Sequence, residues 1–188
     1  MIRICLVGEI GSGKTFISKH FGYPVFNADK EVKKIYKNNK KCFLKLSKKF
    51  PKHIKSFPIL KTEIKQILNK KNIKFISKIV HPFVRESLKK FLKRYNKKKC
   101  VVMDIPLLIE NKLYKKNDII IYVKASKKNI SNRLKKRDNF DLKTMNILKS
   151  QQEDKLEKIK LSNFIINNNI DKKGLLKQIN NIKKKINA

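Results

Sequence analysis

An α/β fold, a parallel five-stranded sheet covered by helices on both faces, is predicted by three features of this 188-residue chain. Five short apolar runs are continuous rather than alternating, as strands buried on both faces are. Segments with helical periodicity separate the runs, and strands alternating with helices imply right-handed crossovers and parallel pairing. The first run ends in a glycine-rich turn, Gly8-Glu9-Ile10-Gly11-Ser12-Gly13-Lys14-Thr15, from which a helix departs.

In chain order, the strands are expected at Ile2 to Val7, Pro24 to Phe26, Val101 to Ile105, Ile119 to Val123 and Phe164 to Ile166. After Asp29, the spacing of Val32, Ile35 and Tyr36 is helical. Val84, Leu88, Phe91, Leu92 and Tyr95 form an apolar stripe beginning just after His81-Pro82. Pro82 is expected at a first helical position, where its missing N–H would be unpaired anyway. Ser126 can cap the helix that carries Arg133 and Arg137, and Asp141 the next one. From about Lys172, Leu175, Leu176, Ile179, Ile182 and Ile186 share one face of a last helix.

The interval from Lys30 to Lys99 is too long for one crossover and reads as helical throughout. The expected plan is a single domain over 1–188, with a core of about 1–32, 97–125 and 151–188. A helical insertion of about 33–96 could cover an acceptor substrate, and a short lid of about 126–150 holds the arginines.

A formal charge of +35 and a pI near 10.2 would ordinarily suggest nucleic acid. The lysines, however, are spread over nearly every segment, from Lys33 and Lys34 through Lys97 to Lys99 to Lys183 to Lys185, whereas a nucleic-acid footprint is a stripe or a compact arm. No dedicated nucleic-acid partner is expected. The positive surface does raise the encounter rate with anionic substrates. Cys5, Cys42 and Cys100 are too few and too widely spaced for a disulfide framework or a zinc site. No run approaches the roughly 20 apolar residues of a membrane span, and the N-terminal run is too short for a signal peptide. A soluble, reduced, cytoplasmic protein without a membrane partner is expected; oligomeric state is not legible.

The spacing Gly, four residues, Gly-Lys-Thr directly after a strand is that of a phosphate-binding loop. Such a loop turns backbone N–H groups toward an anion that also faces the positive end of the following helix. Three of the chain's five glycines, Gly8, Gly11 and Gly13, fall here. Lys14 would reach the β- and γ-phosphates of a nucleotide, and the Thr15 hydroxyl would take one position on Mg²⁺.

Further motifs add up to a resemblance. Asn27-Ala28-Asp29, His81-Pro82-Phe83-Val84, Pro106-Leu107-Leu108-Ile109-Glu110, Arg133-Leu134 with Arg137-Asp138, and Gln151 followed by Asn163 to Asn168 occur in one order over nearly the whole chain. In them the chain resembles the dephospho-CoA kinases, and Pro-Leu-Leu-x-Glu is their most specific signature. There are departures. Asn27 stands where the family has Asp, Phe16 where a hydroxyl residue contacts the α-phosphate, and Asn169-Ile170 where a Gly follows the paired asparagines.

The resemblance implies a P-loop kinase fold and ATP-dependent phosphorylation of the ribose 3′-hydroxyl of dephospho-CoA, with Mg²⁺ as cofactor and ATP and dephospho-CoA as partners. It implies Lys14, Asp29 and Arg137 as catalytic residues. ATP would be held by Gly8, Gly11, Ser12, Gly13, Lys14, Thr15, Phe16, Arg133, Arg137 and Asn168. The acceptor would lie against Asp29, His81, Pro106, Leu107, Leu108 and Glu110, and the metal at Thr15 and Asp104, the latter through water. Asp29 is the expected recipient of the hydroxyl proton, accepted late, because a carboxylate with an ordinary pKa of about 3.9 is a feeble base toward an alcohol. Asp29 as a helix cap and Asp104 as a turn cap remain alternatives at this point. So do two other functions: a nucleoside monophosphate type kinase, which should lack Pro106 to Glu110, and a basic nucleic-acid-binding ATPase, whose binding would be steeply salt-dependent.

Overall fold

A computed structural model describes residues 1–136, 146, 147, 149, 150, 152 and 154–187. Its strands are β1 (Ile2–Val7), β2 (Val25–Asn27), β3 (Cys100–Asp104), β4 (Ile119–Lys124) and β5 (Phe164–Asn167). They form one sheet in the order β2-β3-β1-β4-β5, and every pairing is parallel. The helices are α1 (Lys14–His20), α2 (Ala28–Asn38), α3 (Lys40–Lys49), α4 (Lys61–Ile67), α5 (Asn72–Arg94), α6 (Lys127–Lys135), α7 (Lys155–Lys160) and α8 (Lys172–Asn187). The expected strands and parallel order are thus present, each within one residue of its expected start. The described residues fall into two compact units, one of 1–27, 95–136 and the described residues from 149 on, the other of 28–94 with 146 and 147.

The first unit is organised by burial of the central strands. All of β3 is buried, and so is β1 from Arg3 onward. Ile4, Leu6, Ile121, Val123 and Ile166 pack with Ile17 of α1, with Phe21 just after it, and with Leu175, Ile179, Ile182 and Ile186 of α8. The 4-3-4 spacing of the α8 residues keeps them on one face, and each such side chain contributes roughly 1.5–3 kcal/mol when removed from water. Leu176 of the predicted stripe is only partly buried. At β5 the expectation of two covered faces fails: Ile166 is buried, whereas its neighbour Ile165 points to the opposite face and is 50% exposed.

β1 lies between β3 and β4, so the chain leaves it toward β2 on one side and later reaches β4 on the other. Its C-terminal end is therefore a topological switch point, where open parallel sheets bind ligands. Near the opposite end, Arg3 of β1 donates to Asp118 at 2.6 Å and to the Leu113 carbonyl at 3.0 Å in a buried cluster. Burial, reinforced by Asp118, pushes the neighbouring Cys5 thiol up to about 12, so it remains an inert apolar filler.

The second unit is mostly helical, broken at 39, at 50–60, where Pro51 and Pro58 fall, and at 68–71. Ile35, Cys42, Leu46, Ile54, Ile67, Ile76 and Val80 form its core. Asn39 caps α3 by accepting from the Cys42 N–H at 2.8 Å. Pro82 departs from the sequence expectation: it lies inside α5 rather than opening a helix. An interior proline costs on the order of 3 kcal/mol. The upstream residues Ile73, Ile76 and Val80 are all buried, and at about 1.5–3 kcal/mol each their burial outweighs that cost.

Glu63 of α4 organises the segment before it. Its carboxylate accepts from the backbone N–H groups of Lys55, Ser56 and Leu60 and from the Ser56 hydroxyl, all within 3.0 Å. Burial acts to raise its pKa, but these four donors outweigh it and hold the carboxyl below the ordinary carboxylate value. A depressed folded-state pKa contributes stability that is present above the unfolded value and lost as pH falls through the folded one. Glu63→Ala should therefore destabilise the protein by about 3 kcal/mol at pH 7, with the deficit shrinking below about pH 4. Urea unfolding at several pH values measures this; a constant deficit down to pH 2 would contradict it.

Candidate active site

The glycine-rich loop closes against the ends of β4 and β5 so tightly that side chains are excluded. Gly8 adopts φ 143°, and a Cβ there would lie 2.7 Å from the Val123 carbonyl oxygen. Gly13 adopts φ 97° at the N-cap of α1, and a Cβ there would run into the Asn168 side-chain amide. Positive φ and close approach together leave glycine as the residue that fits. No side chain caps α1, whose first helical residue is Lys14.

Around the loop, side chains hold its carbonyls. Asn168, buried at the end of β5, donates its amide to the Ser12 carbonyl at 2.7 Å. Arg133 of α6 donates to the same carbonyl at 3.1 Å and to the Asn168 carbonyl at 2.7 Å. Ser126 caps α6 as predicted, accepting from the Asn129 N–H, and its own N–H donates to Asn169 at 2.6 Å. Asn169 thus has a role here that a glycine could not fill. Gln152 accepts from the Ile10 N–H at 3.2 Å. The resemblance singled out Gln151, which lies outside the described residues; Gln152 touches the loop.

Lys14 Nζ donates to the Gly8 and Glu9 carbonyls, each at 2.9 Å, at the mouth of the loop. The Thr15 hydroxyl donates to Asp104 Oδ2 at 2.7 Å, and the Asn27 amide donates to the same oxygen at 2.5 Å. Register pairs Asn27 with Asp104 across β2 and β3, which is why a donor at position 27 reaches it. An Asp at 27 would instead oppose two carboxylates. Thr15 and Asp104 offer two hard oxygens side by side, suited to a cation such as Mg²⁺ that takes one or two protein ligands and completes its shell with water and phosphate. Among the described residues no group of three or more His, Cys, Asp or Glu could cage a metal by itself.

The turn after β3 borders the loop. Leu107, Leu108 and Glu110 share a crevice of about 10 Å³ with Gly8, Lys14 and Gln152. Leu108 is buried, Pro106 is exposed, and Leu107 adopts φ 57°, an unusual conformation for a leucine. Glu110 pairs with Lys158 of α7 at 2.8 Å in the same crevice. Sequence reasoning missed Lys158 because nothing marks one lysine among so many.

Phe16 is 44% exposed and stacks on His20, ring centroids 4.2 Å apart. Arg137 and Asp141 lie outside the described residues. In the second unit, Asp29 is the second residue of α2, past the cap position and exposed, where its charge suits the helix dipole. His81 lies in mid-α5. Burial, aided by the Arg85 guanidinium, holds His81 below the ordinary 6.5, so it is neutral at pH 7. An NMR titration should place its midpoint below 6.5, and Arg85→Ala should raise that midpoint only part of the way back. Full restoration would contradict burial as the larger cause.

A family model for dephospho-CoA kinase matches residues 2–173. A dephospho-CoA kinase of Wolbachia pipientis is 32% identical over 191 residues, covering 98% of this chain and 97% of its own. A crystal structure of a Thermus thermophilus protein superposes with a TM-score of 0.79 at 23% identity, covering 98% and 96% of the two chains. A dephospho-CoA kinase from Campylobacter jejuni superposes with a TM-score of 0.64 at 22% identity and the same coverage.

Proposed function

As the chain belongs to the dephospho-CoA kinase family, we propose that it transfers the γ-phosphoryl group of ATP to the ribose 3′-hydroxyl of dephospho-CoA. The products are ADP and coenzyme A, in the last step of coenzyme A biosynthesis. The observation that carries this reading is the crevice in which Gly8 and Lys14 of the phosphate loop meet Leu107, Leu108 and Glu110 of the family's signature turn.

Phosphoryl transfer through a loose transition state asks for alignment and positive charge around the equatorial oxygens rather than covalent help. Lys14 would leave the Gly8 and Glu9 carbonyls for the β- and γ-phosphates, while the loop amides line the polyphosphate. Thr15, and Asp104 through water, would hold Mg²⁺, which would supply positive charge to the phosphates. Asp29 orients the ribose hydroxyl and accepts its proton late, with His81, Pro106, Leu107, Leu108 and Glu110 framing the acceptor. Both terminal nitrogens of Arg133 are engaged by the Ser12 and Asn168 carbonyls, so this residue braces the loop. From the lid, about 126–150, Arg137 is the residue proposed to stabilise the transition state, as the family resemblance implies. Three free buried cysteines, and no helix among the described residues long and apolar enough to cross a membrane, support a cytoplasmic setting.

A coupled assay for ADP release, with Mg²⁺-ATP and dephospho-CoA beside AMP, CMP and adenosine, tests the assignment. Dephospho-CoA should be the preferred acceptor, Lys14→Ala should abolish transfer in a folded protein, and Asp29→Asn should lower kcat far more than ATP affinity. Equal rates with AMP, or parental turnover by Asp29→Asn, would contradict the acceptor and the carboxylate role respectively.

A further inference from the structure

Helix α6 packs directly on the phosphate loop. A Cβ at Gly11 would come within 3.0 Å of Leu134 and 3.1 Å of Ile130, and Arg133 from the same helix donates to the Ser12 and Asn168 carbonyls. The start of this helix is fixed from outside it. The first backbone N–H groups of any helix lack partners within it. The Ser126 hydroxyl accepts one of them, from Asn129, but the N–H of Ser126 itself is left over. Helices commonly satisfy that group with a Glu or Gln three residues on, whose side chain reaches back to it. Here that position is Asn129, whose side-chain amide instead donates outward to Asn169 Oδ1 at 3.2 Å. The Ser126 N–H donates to the same oxygen at 2.6 Å. Asn169, 43 residues away in sequence, thus completes the cap that α6 lacks.

Asn169 is itself held at the end of β5. Its Nδ2 and its backbone N–H donate to Asn167 Oδ1 at 2.7 and 3.2 Å. Asn167 is tied in turn to α8, because Gln178 accepts from its N–H at 3.0 Å and donates to its carbonyl at 3.1 Å. A backbone N–H can only donate, so the carbonyl end of the Asn169 amide faces α6 and the NH₂ end faces Asn167. Asn129 and Arg133, four residues apart, share one face of α6. The contact at Asn169 therefore sets the rotation and height at which Arg133 meets the loop. Asn169 is exposed, so this linkage is no by-product of core packing.

We propose that Asn169 is a positioning residue for the nucleotide: by capping α6 from outside, it places Arg133 on the Ser12 and Asn168 carbonyls and keeps the phosphate loop in the shape that a nucleoside diphosphate or triphosphate binds. Glycine, the residue of the family pattern at this place, offers no such acceptor. The inference rests on the nucleotide-binding part of the proposed function and is independent of which acceptor is phosphorylated.

Calorimetric titration of the full chain with ADP and Mg²⁺, carried to saturation, tests it. Asn169→Ala should weaken ADP binding by about fivefold or more, since a smaller fraction of the protein then holds the loop ready. Asn169→Gly should weaken it likewise, and it decides the matter should the alanine variant fail to fold. In an Arg133→Ala background, Asn169→Ala should cost less than about twofold further, because the two side chains act as one unit; a merely structural role would add its full factor in either background. ADP affinity at the parental level in a folded Asn169 variant would overturn the inference alone, as would a full further loss on top of Arg133→Ala. A parent that binds no ADP would overturn the nucleotide reading itself, and this inference with it.

Discussion

The grip of Asn168 and Arg133 on the Ser12 carbonyl is the constraint on which the rest of the site depends. It draws the loop down onto the ends of β4 and β5, and that close approach bars a Cβ from Gly8 and Gly13. A loop pinned in this way needs little reorganisation when an anion arrives, which is how electrostatic stabilisation becomes useful to a phosphoryl transfer. The strand order follows from the same need. Only with β1 between β3 and β4 can one loop meet Asp104 on one side and Asn168 on the other.

The site is also a study in charge economy within a chain of formal charge +35. Two carboxylates beside the phosphate loop, Asp104 and Glu110, are each partnered. Asp104 receives hydrogen bonds from Thr15 and Asn27, and Glu110 receives the Lys158 ammonium. An unpartnered acid at either place would compete with phosphate for Lys14. The Asn at position 27, a departure from the family pattern, becomes intelligible in these terms. It holds Asp104 in place without adding a second negative charge beside it.

Much of this was legible in the sequence, because backbone demands leave strong marks. Short continuous apolar runs located the five strands described, and the glycine spacing located the loop. Ser126 was readable as a cap because capping is a local matter between a hydroxyl and an amide three residues on. What was not legible depends on distant packing. Pro82 reads as a helix start until the burial of Ile73, Ile76 and Val80 is known to carry the helix through it. Lys158 and Asn27 owe their roles to partners 48 and 77 residues away in sequence, and no local pattern announces such pairs. Phe16, exposed and stacked on His20, has no account beyond that contact.

The claim that this loop delivers phosphate to one particular oxygen is tested most directly by phosphorus NMR of the product formed from Mg²⁺-ATP and dephospho-CoA. The account predicts one new monoester resonance that couples to the ribose H3′, with the acceptor's diphosphate signals unchanged in number. A monoester coupled to another proton, or nucleotide turnover with no new monoester at all, would contradict it.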